Sequence, residues 1–138
     1  VDAGGTVRIE RVITTYKQNP AGAEDVSYLD LNTLLTLSYL RYDFRTFWLN
    51  KYPRHKLAND GTQFGIGQAV MTPKVAKAEA VGRFRIWEEL GLVEDIDQFK
   101  EELIVERNES DVNRLDFLLP PNIINQLRVV GVKIAFIL

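Results

Sequence analysis

From Val130 to the end of the chain every second residue is apolar: Val130, Val132, Ile134, Phe136 and Leu138. That two-residue period is the mark of a β-strand with one continuous apolar face, and Gly131, Lys133 and Ala135 give it a thinner second face. Val129 leads into the segment. A bare apolar strand templates pairing with other chains, so proteins charge it, cover it or use it. Whether this one is covered by its own sheet or handed to a neighbour is the functional question that the pattern raises.

The same pattern predicts the remaining elements. Thr6–Tyr16 is rich in β-branched residues and roughly alternating, which predicts a strand, and Gln18-Asn-Pro-Ala-Gly22 breaks it. A helix starts near Asp30, with Asp30 or Asn32 able to cap it, and Pro53 forbids its continuation. Leu34, Leu37, Leu40, Phe44, Phe47 and Trp48 form one stripe on it, and Leu35, Tyr39 and Tyr42 form a second beside the first. A helix apolar over so much of its surface is expected to be buried on more than one side.

Thr72-Pro73 opens a second helix, with Thr as N-cap and Pro at the first helical position, and Leu90-Gly91 closes it. Ala80, Val81, Phe84, Trp87 and Leu90 are its expected buried stripe. Asp97 is the expected cap of a short helix running through Glu102. Leu103–Arg107 and Arg114–Leu119 flank a polar turn and predict a hairpin. Pro120-Pro121 ends it, Asn122–Gln126 reads as a short turn or helical piece, and the terminal strand follows. The order predicts an α+β fold: a small mixed β-sheet covered by two main helices.

At 138 residues the chain is expected to form a single domain, residues 1–138. Its only methionine is Met71 and it begins at Val1, from which we expect it to be the C-terminal part of a longer polypeptide. No run approaches the ~18 consecutive apolar residues of a membrane span, so no membrane partner is expected.

A net charge of −2 hides two opposed patches. Arg41, Arg45, Lys51, Arg54 and Lys56 lie in one stretch with His55 and a single acid, Asp43. Favourable placement of cations at a helix C-terminus explains this block without any function. Glu88 to Glu102 holds seven acids, Glu94, Asp95, Asp97, Glu101 and Glu102 among them, against Lys100. Lys74 and Lys77 occupy the first turn of the second helix with no carboxylate, where the helix dipole disfavours cations. Either these lysines are simply solvated, or the turn faces something acidic.

Enzymatic chemistry finds little support. There is no cysteine, and one histidine, His55, sits among Pro53, Arg54 and Lys56, where neighbouring cations disfavour its charged form. The acids show no metal-ligand spacing, Gly65-x-Gly67 lacks the rest of a phosphate cradle, and no cofactor is expected. A nucleic-acid-binding domain is the alternative reading, because the basic residues of 41–56 alternate with Tyr42, Phe44, Phe47, Trp48 and Tyr52. Core packing is the commoner use of aromatics at helical spacing, however. Opposite patches on one small domain suit copies of itself better, joined basic surface to acidic surface.

Gly5–Tyr16, Asp25–Asp30, Leu37–Arg41 and Pro53–Ala58 resemble the C-terminal domain of contractile phage tail sheath proteins, specifically the Mu-like sheath. So do Val70–Pro73, Asp97–Phe99, Leu103–Asn108 and Arg114–Pro121, so that the resemblance follows essentially the whole chain in order. It implies a structural protein, not an enzyme, that polymerises around a tail tube and contracts to drive it through a host envelope. It also implies an inner, tube-proximal position. The implied partners are copies of itself, the tail tube protein, the baseplate and the tail terminator, with no nucleic acid. The implied location is the virion tail, after assembly in the host cytoplasm. In such sheaths terminal arms add strands to neighbouring subunits, which gives Val129, Val130, Val132, Ile134, Phe136 and Leu138 an intersubunit role. A tube-facing helix with basic residues gives Lys74 and Lys77 theirs. By the same resemblance, the N-terminal arm and outer domains of a complete sheath subunit are expected to lie outside this chain.

Overall fold

A computed structural model describes residues 4–7 and 9–137. The fold is α+β. Its elements, in order, are α1 (Leu31–Lys51), β1 (Lys56–Leu57), β2 (Val70–Met71), α2 (Pro73–Glu89), β3 (Val93–Glu94), α3 (Ile96–Glu102), β4 (Ile104–Arg107), β5 (Leu115–Leu118) and β6 (Asn122–Ile123).

The core forms where α2 meets α3 and the segments after it. Ala80, Phe84 and Trp87 of α2 are fully buried at i, i+4 and i+7, the spacing that sets one face of a helix inward. Phe84 stacks on Phe99 of α3 with ring centroids 4.1 Å apart, and Val93 and Leu103 close the cluster. Leu90, expected in the buried stripe, is exposed instead, because the helix ends there and the chain turns away through Gly91 at φ +69°. Thr72 caps α2 as expected, its hydroxyl accepting from the Val75 amide.

α1 docks on this cluster by one side only. Leu40 is its single fully buried residue, with Phe44 packed half-buried against Trp87 and Phe117. The expected burial on more than one side is not found within the chain: Leu35 is 57% and Tyr42 70% exposed, and Leu34, Tyr39 and Leu49 are exposed with them. A polar clamp holds the helices together. Asp43 accepts from Arg83 Nε at 2.6 Å, from Arg83 Nη2, and from the Trp87 indole at 2.7 Å.

The expected single sheet is instead three two-stranded ladders. β4 and β5 form the predicted antiparallel hairpin, with Ile104 opposite Leu118 and Arg107 opposite Leu115. β1 and β2 pair in parallel across the intervening loop. β3 pairs antiparallel with β6, so the start of Asn122–Gln126 is a strand and not a turn or helical piece. Asp95, not Asp97, caps α3: it adopts φ +63° and accepts from the Gln98 amide, while Asp97 lies in the first turn and pairs with Lys100 at 2.8 Å.

Among the described residues neither terminal segment forms the strand expected of it. In Thr6–Tyr16 the described residues contribute only an isolated antiparallel bridge between Ile13 and Asp30. Leu127 to Ile137 belongs to no ladder. Among the described residues neither segment joins a ladder with another strand.

Candidate functional site

Two terminal segments meet at one carboxylate. Asp30 precedes α1 at its N-cap position, yet its side chain makes no cap hydrogen bond. Arg11, from the N-terminal segment, reaches it through Nε at 2.8 Å and Nη2 at 3.0 Å, a two-pronged grip. Arg128, at the root of the C-terminal segment, reaches Oδ2 through Nη2 at 2.7 Å. Hydrogen bonds from Arg11 and then Arg128 hold the Asp30 carboxyl well below the usual carboxylate range. The N-terminal side is fastened further by Thr14 N–H to Leu29 O at 2.7 Å and Leu31 N–H to Val12 O at 3.2 Å. Tyr16 donates to Asp25 Oδ2 at 2.6 Å and meets the Tyr28 ring edge to face.

Beyond Arg128 the chain is bare. Val129, Val130, Val132, Ile134 and Phe136 are each more than two-thirds exposed, as is Ile137 on the opposite face; Leu138 lies outside the described residues. Among the described residues, no backbone hydrogen bond is made from Asn125 to Ile137; the last before it is Ile124 N–H to Leu92 O at 3.2 Å. A run of free amides and carbonyls beside alternating apolar side chains is an open template for strand addition.

α2 is polarised against its own dipole. Its first turn carries no acid and its last turn no base. Lys74 is exposed and Lys77 half-buried at the positive end, while Glu88 and Glu89 sit exposed at the negative end. Asp60, from the loop between β1 and β2, partly offsets the first, accepting from the Lys74 amide at 2.9 Å.

Four of the five aromatics of the basic stretch face inward, while Tyr42 is exposed. Phe44 and Trp48 both pack on Phe117 at about 5 Å, Trp48 lies on Tyr52, and Phe47 contacts Trp48 and Tyr52. Rings so engaged cannot stack bases, so the nucleic-acid alternative loses its platform. Lys51 pairs with Glu79 at 2.7 Å and lies over the Phe47 and Tyr52 rings. His55 is exposed and edges the Tyr52 ring. Among the described residues no group of three or more His, Cys, Asp or Glu is arranged to hold a metal ion, and no helix is long and apolar enough to cross a membrane.

Residues 23–137 match the family described as the phage tail sheath C-terminal domain. The chain belongs to that family. All 138 residues also align, at 46% identity, with the Mu-like prophage FluMu tail sheath protein of Haemophilus influenzae. The chain spans 28% of the length of that relative.

In the sheath domain the basic and acidic patches remain largely unneutralised from within. Arg41, Arg45, Arg54 and Lys56 make no ion pair among the described residues, and neither do Glu94, Glu101 and Glu102. Asp95 and Asp97 are occupied within α3, as cap and as the partner of Lys100. Sequence reasoning about the sheath domain treated Asp30 as a helix cap and so missed its role as the joint between the two termini. The signal for that joint was Arg11 and Arg128, one basic residue in each terminal segment able to reach an acid, which the apolar alternation around them overshadowed.

Proposed function

We propose that this sheath domain is a structural, non-enzymatic part of a contractile phage tail sheath, which polymerises around the tail tube and contracts to drive it through the host envelope. The observation that carries the reading is the uncovered segment Leu127–Ile137, apolar at every second position from Val130 and rooted at Asp30 by Arg128. A chain that leaves such a segment uncovered lowers its free energy by adding it to a sheet of another copy. Val129, Val130, Val132, Ile134 and Phe136, with Leu138, are then the residues shared between subunits.

As one domain in the tube-proximal layer, it lies in the virion tail and assembles in the host cytoplasm, between baseplate and tail terminator. The exposed start of α2 turns Lys74 and Lys77 toward an acidic face of the tail tube, which offsets their unfavourable position in the helix field. Contraction moves the domain as a rigid body while its terminal segments stay paired.

Deleting Val129 to Leu138 from the full-length protein tests this. Hollow tubes seen by electron microscopy are expected to disappear while helical circular dichroism is retained; intact tubes after the deletion overturn the reading. Reversing Lys74 and Lys77 to Glu should weaken attachment to the tail tube more than sheath self-assembly. Equal loss of both removes the tube-facing assignment.

A further inference from the structure

An apolar recess of 390 Å³ lies between α1 and the chain leaving β5, floored by Leu37, Leu40, Phe44, Trp87, Leu119 and Pro121. Arg41 and Arg45, one helical turn apart, stand at its rim, both exposed and neither in an ion pair among the described residues. Two guanidinium groups beside a greasy hollow select one kind of visitor: an apolar side chain with carboxylates next to it.

The same chain displays such a visitor. Leu90 is 57% exposed at the end of α2, and Glu88 and Glu89 precede it, also exposed and unpaired among the described residues. The corner is stiff. Gly91 at φ +69° turns the chain, Gly91 N–H bonds Glu88 O at 2.9 Å, and Leu92 N–H bonds Trp87 O at 3.0 Å, the pair of bonds that closes a helix in a Schellman motif. Little ordering entropy is therefore lost when Leu90 is seated. The two glutamates sit at the negative end of the helix, where the dipole disfavours them, and nearby arginines relieve that penalty.

We propose that the recess rimmed by Arg41 and Arg45 receives Leu90, with Glu88 and Glu89, from a second copy of this chain. The contact rests on the sheath reading above and gives it a specific side-to-side joint distinct from strand addition. Knob and hollow are different surfaces of one molecule, so the joint is heterologous and repeats from copy to copy without self-closure, as a helical lattice needs.

The test uses full-length protein carrying the photo-crosslinking substitution Leu90→p-benzoylphenylalanine, assembled from a mixture of isotopically labelled and unlabelled copies. Irradiation is expected to join residue 90 of one copy to the Leu37–Arg45 or Leu119–Pro121 peptide of another. Adducts confined to a single copy, to other segments, or to a different protein overturn the proposal. In parallel, Arg41→Glu with Arg45→Glu should raise the concentration needed for tube formation about tenfold or more, and adding Glu88→Lys with Glu89→Lys should restore it. Any variant whose melting midpoint falls is replaced by its Gln counterpart. Tubes that form at an unchanged threshold with both arginines reversed, or a quadruple variant no better than the double, overturn this joint alone. Absence of tubes from the unsubstituted protein overturns the sheath reading and the joint together.

Discussion

Arg83 on α2 grips the carboxylate of Asp43 on α1 with two of its nitrogens while its guanidinium lies 5.3 Å from the Phe47 ring centroid. Burial pushes the Asp43 carboxyl up, but the hydrogen bonds from Arg83 and Trp87 and the arginine's charge outweigh it and leave the group below its ordinary range. This clamp ties α1 to the core alongside the packing of Leu40, Phe44 and Trp48. Asp43→Ala leaves a shielded cation and an indole N–H without their acceptor, so urea denaturation should register a loss of about 3 kcal/mol. Asp43→Asn keeps an acceptor for Trp87 and should lose less; equal losses would show that the indole hydrogen bond adds nothing beyond the arginine pairing.

Stability should fall on the acid side. Asp30, held low by Arg11 and Arg128, Asp116, held low by Asn108 and Arg114, and Asp43 all release their protons more readily folded than unfolded. Their contribution is therefore complete above the unfolded carboxylate value of ~3.9 and is lost as pH drops beneath it toward each folded value. Urea midpoints should hold from neutral pH down to about 5 and decline below about 4; an unchanged midpoint at pH 3 would contradict the assignment. At the alkaline end the hydrogen bond to Asp25 pushes the Tyr16 phenol up to about 12. Its stabilisation is intact below about 10 and lost as pH rises toward that value.

Phe84→Ala should cost about 3 to 5 kcal/mol, because it empties the centre of the core and strips Phe99 of its stacking partner. Thermal denaturation followed by near-ultraviolet circular dichroism would register it. A loss under 1 kcal/mol would mean that the stacked pair is not central to stability.

Asp30→Ala should loosen both terminal segments at once while leaving the core alone. Hydrogen exchange should accelerate at Thr14 and Leu31, whose amides bond Leu29 O and Val12 O, and on the C-terminal side at Ile124, whose amide bonds Leu92 O, and stay unchanged around Phe84 and Phe99. Faster exchange on the N-terminal side alone would mean that the Arg128 contact does not hold the C-terminal root.

The helices and hairpin were legible in the sequence because their signals are local. Thr72-Pro73 and Leu90-Gly91 bracket α2 closely, and the alternation around Asn108–Asn113 marks β4 and β5. What escaped was long-range or too short for a period. Two-residue strands such as β3 and β6 have no periodicity, so Val93 opposite Ile123 had to come from the packing. Asp95 and Asp97 are equally good caps by type, and only the left-handed turn at Asp95 decides between them. The N-terminal segment and the second stripe of α1 misled for one shared reason: their apolar side chains were expected to find cover inside the chain, and Val7, Ile9, Leu35 and Tyr42 do not. Of the candidate site residues, the apolar alternation after Arg128 is visible in the sequence, but the anchorage to Asp30 depends on residues 98 positions apart.

The bareness of Leu127 to Ile137 has a thermal consequence. Whatever eventually covers those side chains withdraws hydrocarbon from water, and that transfer carries a negative heat-capacity change. Joints made through the tail should therefore weaken in the cold and tighten on mild warming, so that chilled preparations come apart before the individual domain begins to melt.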